Sequence, residues 1–353
     1  MSLIFDGHND VLSRLWCAGG DPVASFAKEI GHINLPAANH GGFGGGFFAL
    51  YAPQVRAVYD FAGFKGGSMP LASPIDQPSA LQSIMAQLGI AQRLQVAGHL
   101  NLCTDVTQIE AAMQSGQMAA LLHLEGAECI DPELLVLDAL YALGLRSLGP
   151  VWSRSTIWGE GVPFAFDQNG DTGPGLTKNG RRLVERCAEL GMIVDTSHLT
   201  MKGFYDIADM GMPLVATHSN AFDMCKTTRN LTRDQLRAIG ETGGMVGLNY
   251  ATVFLSEDGW NTGRASIEDC LRQLDALIDA AGEDHVGLGS DFDGAPLPDG
   301  LTSCADLPVL RAAMAQHGYG SALIEKLCNG NWLAFLHRSL PPPSPLAQPV
   351  NSR

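Results

Sequence analysis

Six side chains of this 353-residue chain have the chemistry of a metal centre: His8 and Asp10 in DGHND, Glu125 after MAALLHL, His198 after IVDTS, His218 after PLVAT, and Asp291 in GSDFDG. Neutral imidazole is the commonest protein ligand for zinc, and carboxylates complete such sites. In an H-x-D pair both side chains lie on one side of an extended backbone and aim at one point. A carboxylate leaving a buried strand, as Glu125 does, is costly unless it meets a cation. Singly these signals are weak. A histidine near a strand end is more often a hydrogen-bonded structural residue, H-x-D is short enough to arise by chance, and an arginine partner is the ordinary explanation of Glu125. His123 shares strand parity with Glu125 and reads first as a hydrogen-bonded interior histidine.

The elements that must position these residues raise the odds. In residues 191–218 two short apolar runs, Met192–Val194 and Leu214–Ala216, flank a helix-length segment, Thr200–Met210. That is the pattern of a parallel βαβ unit, whose two strand ends open onto the same edge of a sheet and so set His198 beside His218. Six further strands are predicted: Leu3–Asp6, Phe47–Tyr51, Met118–Leu124, Leu145–Val151, Gly244–Asn249 and His285–Gly289. Helical spacing marks Ser79–Ala97, Glu133–Leu143, Thr177–Leu190, Thr232–Gly240, Ser266–Ala281, Asp306–Gln316 and Ser321–His337. Eight apolar strands, mostly separated by helices, predict a (β/α)8 TIM barrel. All six candidate residues then fall at the C-terminal ends of strands, the rim where barrel active sites are built. Three histidines and three carboxylates on one rim are hard to explain as coincidence.

Other segments carry less. HGGFGGG, residues 40–46, lacks the Lys-Ser/Thr of a phosphate-binding loop and is read as a tight lead into the second strand. Val55–Pro78 reads as a loop insertion. Residues 1–338 are expected to form a single hydrolase domain, and 339–353, rich in proline, a disordered tail. A formal charge of −15 argues against nucleic acid or an anionic membrane as partner. The eight cysteines include no C-x-x-C pair, a reduced intracellular pattern. Neither a secretory leader nor a membrane-length apolar run is visible, so a cytoplasmic location is expected.

In order along the chain, DGHND, HLEG, GLTKNGRRLVERCAELGMIVDTSHL, THSNA, RNLT, HVGLGSDFDG and NGNWL resemble the membrane dipeptidase family, within the metal-dependent amidohydrolase barrels. The resemblance covers nearly the whole chain. It implies two zinc ions (Zn2+) per chain, one held by His8 and Asp10, the other by His198 and His218, with Glu125 and a water bridging them. It implies that Asp291 transfers protons and that Arg229, in RNLT, holds the substrate's terminal carboxylate; without the family match Arg229 reads as a surface ion pair. The implied activity is hydrolysis of dipeptides with a free C-terminal carboxylate, including those ending in a D-residue, in a protein that is often a homodimer. One departure stands out. Where the family has a histidine that contacts the scissile carbonyl, this chain carries Trp152, and an indole is neither a cation nor a metal ligand. Arg154 is a candidate replacement. The alternatives are hydrolysis of another small amide, such as an N-acyl amino acid or a β-lactam, or a metal-binding member that has lost peptidase activity. Asp195, Asp293 and His123 either orient the ligands or satisfy buried backbone and arginine groups.

Overall fold

The computed structural model describes residues 2–53, 68–69 and 71–340. Eight parallel strands form its centre: β1 (Ile4–Asn9), β2 (Phe43–Tyr51), β4 (Ala119–Glu125), β5 (Leu145–Gly149), β6 (Ile193–Val194), β7 (Val215–Ala216), β8 (Met245–Leu248) and β9 (Val286–Leu288). Their order, β6-β5-β4-β2-β1-β9-β8-β7, runs around a (β/α)8 barrel, and a two-residue strand, β3 (Asn101–Leu102), pairs with the start of β4. The ends of the path meet at a single bridge between Asp195 and Val215, so the ring closes between β6 and β7. Thr196 N–H donates to Val215 O there at 2.7 Å.

All eight predicted strands are present, with small shifts of boundary. The helices also begin where the sequence caps them. Thr177, Thr200, Thr232 and Ser266 each accept a backbone N–H of the following turn, and the last two form full capping boxes with Gln235 and Asp269. The sequence reading did not anticipate β3 or the helices Val11–Ala18, Leu35–Gly41 and Val106–Gln114. It also began the second strand too late: Phe43–Gly46, read as a lead into it, belong to β2 itself. Gly45 has φ +151°, and a Cβ there would fall on Ala119 O of the neighbouring strand, so glycine lets β2 and β4 approach. The predicted insertion at 55–78 lies largely outside the described residues, as does the predicted tail 339–353, except that Ser339 ends the last helix and Leu340 is described.

Inside the barrel the side chains form two unlike layers. The lower is an apolar plug of Phe5, Phe47, Leu121, Ile193, Val215 and Met245, sealed from below by Trp332, whose indole N–H donates to Leu288 O at 2.9 Å. Above it the interior turns polar. One residue more on β1 than on β2 separates the pairs Asp6–Gly46 and Asn9–Phe48, a β-bulge. A bulge reverses the alternation of a strand, so His8 and Asp10 face inward on the same side as Phe5 while Asp6 does not. At this level Thr217 O points among Gly7, Gly247 and Gly289, and a Cβ on any of the three would collide with it. Gly247→Ala is therefore expected to destabilise the fold by about 3 kcal/mol, measured as a lower urea midpoint with an unchanged slope.

Candidate active site

The strand ends bring the six residues together. Glu125 Oε1, from β4, lies 3.0 Å from His198 Nε2, 3.5 Å from His218 Nε2 and 3.7 Å from His8 Nε2. His8 Nε2 is 3.4 Å from Asp10 Oδ2, the Nε2 atoms of His198 and His218 are 3.1 Å apart, and the His8 ring stacks on His218 at 3.8 Å between centroids. Two sets of donor atoms, His8–Glu125–His218 and His8–Asp10–Asp291, are each close enough to hold one ion, and a third, His8–His123–Asp195, lies nearby. The loop after β9 supplies Asp291, in left-handed backbone at φ +59°. Gly294 makes room for it, since a Cβ there would fall on the carboxylates of both Asp10 and Asp291.

The electrostatics of the cluster call for a cation. Burial raises the Glu125 carboxyl well above its ordinary range, with the Asp10 and Asp291 charges adding to it, and burial likewise raises Asp291. Burial, then Arg229 and the neighbouring imidazoles, hold His198 and His218 well below the usual histidine value. Burial opposes charging of His8 as well, yet the Glu125, Asp10 and Asp291 carboxylates outweigh it and push His8 up to about 10. Neither ring nitrogen of the fully buried His8 has a well-formed hydrogen bond among the described residues. Imidazole nitrogens and carboxylate oxygens without a thiolate form a donor set suited to zinc or a similar divalent ion, so the residues fit such a group.

The remaining predicted residues divide. Arg229 is 2% exposed and its Nη atoms donate to Ser197 O, to His218 O at 3.1 Å and to Ser219 Oγ at 3.3 Å. It has no carboxylate partner among the described residues, so it is not a surface ion pair. Burial depresses it to about 10, against the pull of Asp291 and Glu125. Trp152 lines the same cleft, packing 5.7 Å from His198, 5.7 Å from Phe164 and 5.2 Å from Tyr51 between ring centroids. Arg154 does not reach the cleft: its guanidinium donates to Ala52 O and Tyr51 Oη, each at 2.9 Å, and pairs with Glu128 at 3.1 Å. Asp293, which also lines the cleft, accepts His32 N–H and Ile33 N–H and pairs with Arg14 at 3.0 Å. His123 Nδ1 is 2.9 Å from Ser147 Oγ, the interior role expected first.

Sequence reasoning missed Asn249, whose Nδ2 donates to Asp291 Oδ2 at 2.9 Å. A signal existed, because Asn249 closes its predicted strand with a polar residue, near the strand-end positions of the candidate ligands. It also missed Tyr51, at the end of β2, which lines the cleft.

The chain matches the membrane dipeptidase family, peptidase family M19, over residues 1–338. A metallo peptidase from Rhodobacter sphaeroides, liganded with a phosphinate mimic of the dipeptide L-Ala-D-Ala, is 44% identical, with a TM-score of 0.91 over 96% of this chain and all of that one. A probable dipeptidase from Pseudomonas aeruginosa shares the fold at 19% identity, with a TM-score of 0.79 over 95% of each chain. An uncharacterised protein from Klebsiella pneumoniae is 44% identical over 253 residues, 71% of this chain and 93% of its own.

Because the cluster is buried and short of positive charge, a divalent ion should bind the folded state far better than the unfolded chain. Zinc added to chelator-treated protein, at roughly 100 times its Kd, is expected to stabilise the fold by about 3 kcal/mol. Glu125→Gln, which removes the central charge, should abolish most of the gain in a calorimetric melting scan.

Proposed function

This chain belongs to the membrane dipeptidase family, peptidase family M19, and on that premise we propose that it is a zinc-dependent dipeptidase acting on dipeptides with a free C-terminal carboxylate, those ending in a D-residue included. The observation that carries the reading is Arg229: a buried guanidinium with no carboxylate partner among the described residues, on the wall of the cleft that holds the ligand cluster. His8 and Asp10 would hold one zinc ion, His198 and His218 the other, and Glu125 both. Bound there, the pair supplies an acidified water and polarises a carbonyl.

The chain's own residues do the rest. Arg229 has spent part of its fork on Ser197, His218 and Ser219, which fixes its orientation, and its charge attracts the substrate's terminal carboxylate. Asn249 holds Oδ2 of Asp291, leaving Oδ1 to take a proton from the attacking water and deliver it to the leaving amine. Trp152, with Phe164, Val253 and Phe254, supplies the apolar part of the cleft lining. Arg154, engaged by Tyr51 and Glu128, does not take the place of the family's histidine, and carbonyl polarisation would rest on the metal pair. The L-Ala-D-Ala mimic bound by the Rhodobacter sphaeroides relative supports a D-residue at the C-terminal position. We also read residues 1–338 as one catalytic domain of a cytoplasmic protein that forms homodimers.

Steady-state hydrolysis of L-Ala-D-Ala and L-Ala-L-Ala by the zinc-loaded protein tests this. Asp291→Asn is expected to lower kcat by about 10²–10⁴-fold. Arg229→Met should raise KM for free dipeptides by roughly 30–150-fold, the loss of about 2–3 kcal/mol, with little change for C-terminally amidated ones. Turnover of N-acyl amino acids without turnover of any dipeptide would replace the reading with that of another amidase.

A further inference from the structure

We propose that Asp195, acting through the Thr217 hydroxyl, fixes the tautomer of His218 and thereby keeps the ring nitrogen that faces the metal cluster unprotonated. Asp195 belongs to no donor set used above for the two ions, and Thr217 titrates nothing. Oδ1 of Asp195 accepts Ser197 N–H at 3.1 Å, Ser197 Oγ at 2.6 Å and Thr217 N–H at 3.0 Å, while Oδ2 accepts the Thr217 hydroxyl at 2.7 Å. A hydroxyl carries one proton. Once that proton goes to the carboxylate, only lone pairs of Thr217 Oγ1 face His218 Nδ1, 2.8 Å away. The hydrogen bond between them then requires the proton to sit on Nδ1. Nε2, the atom turned toward Glu125 and His198, is left with its lone pair free for a metal. The opposite arrangement would take the hydroxyl proton from Oδ2 and place a ring proton where the ion must bind.

The device is one-sided. Nδ1 of His198 meets only the Ser153 hydroxyl, at 2.9 Å, which itself has no carboxylate behind it among the described residues. Asp195 also stands at the closure of the barrel, where its backbone N–H donates to Leu148 O and its carboxylate holds Thr217 N–H across the seam. Thr217→Val removes the hydroxyl and leaves that backbone bond, so it separates the relay from the seam.

The inference rests on the metal reading above, and the experiment keeps the two apart. Chelator-treated wild type, Thr217→Val and Thr217→Ser are titrated with Zn2+ against a chromophoric chelator and with Co2+ by visible absorption, and the histidine tautomers are read by 15N NMR of histidine-labelled protein. Wild type should bind two equivalents and show His218 protonated at Nδ1. The valine variant should weaken one equivalent by about 10–100-fold, change the Co2+ spectrum and lose the Nδ1–H signature, and serine should restore all three. A wild type that binds no metal overturns the metal reading. A folded valine variant with wild-type affinity at both sites and an unchanged tautomer overturns the relay. If the valine variant does not fold, Asp195→Asn decides: its amide donates to Thr217, freeing the hydroxyl proton for His218 and moving the ring proton to Nε2, and an unchanged tautomer overturns the proposal.

Discussion

Three carboxylates and three imidazoles on one rim, all buried but the half-buried Asp291, form an arrangement that no hydrophobic core would choose. Asp10, Glu125 and Asp291 repel one another, and moving an unpaired charge out of water costs several kcal/mol even after relaxation. The structure around them is organised to hold that arrangement at short range. The β1 bulge turns His8 and Asp10 inward, Gly294 lets two carboxylates converge, and Asn249 fixes one oxygen of the third. Each of these features lowers local stability or spends a hydrogen bond, and each is explained once a divalent ion completes the cluster. The apolar plug beneath supplies the rigid floor on which such a cluster can be held.

The departure at Trp152 has a structural counterpart in Arg154. An indole at the cleft needs packing partners, and it has Tyr51, Phe164 and His198. The Arg154 guanidinium lies 5.0 Å from the Trp152 ring and 5.5 Å from the Tyr51 ring, tied down by Glu128. A cation next to the site has thus become part of an aromatic wall. It tunes the field at the edge of the cleft, and it is unavailable to substrate.

The sequence spoke clearly where a side chain acts through its own chemistry and position. The strands were legible from apolar runs closed by polar residues, and the rim from the fact that His8, Glu125, His198, His218 and Asp291 all stand at such closures. What stayed hidden depends on backbone geometry or on a partner distant in the chain. The β1 bulge leaves no mark in DGHND, because an extra residue on one strand is defined only against the register of the next. Gly45 looked like a turn residue, since the demand for close approach comes from β4, some 70 residues away in sequence. Asn249 and Thr217 are ordinary polar residues until Asp291 and Asp195 are brought beside them. Arg229 was indistinguishable from a surface cation except through the family resemblance, because burial of a loop arginine is a tertiary property.

The cluster draws on residues from His8 to Asp291, and no two neighbouring strands supply it alone. A ribosome releases the first ligands long before the last, and during that interval the nascent chain has two histidine-bearing fragments and no enclosure. The pocket that selects an ion comes into being only when β9 docks against β1 and the ring shuts between β6 and β7. Presenting both donor sets at once is therefore a property of the closed barrel, not of any one stretch of chain.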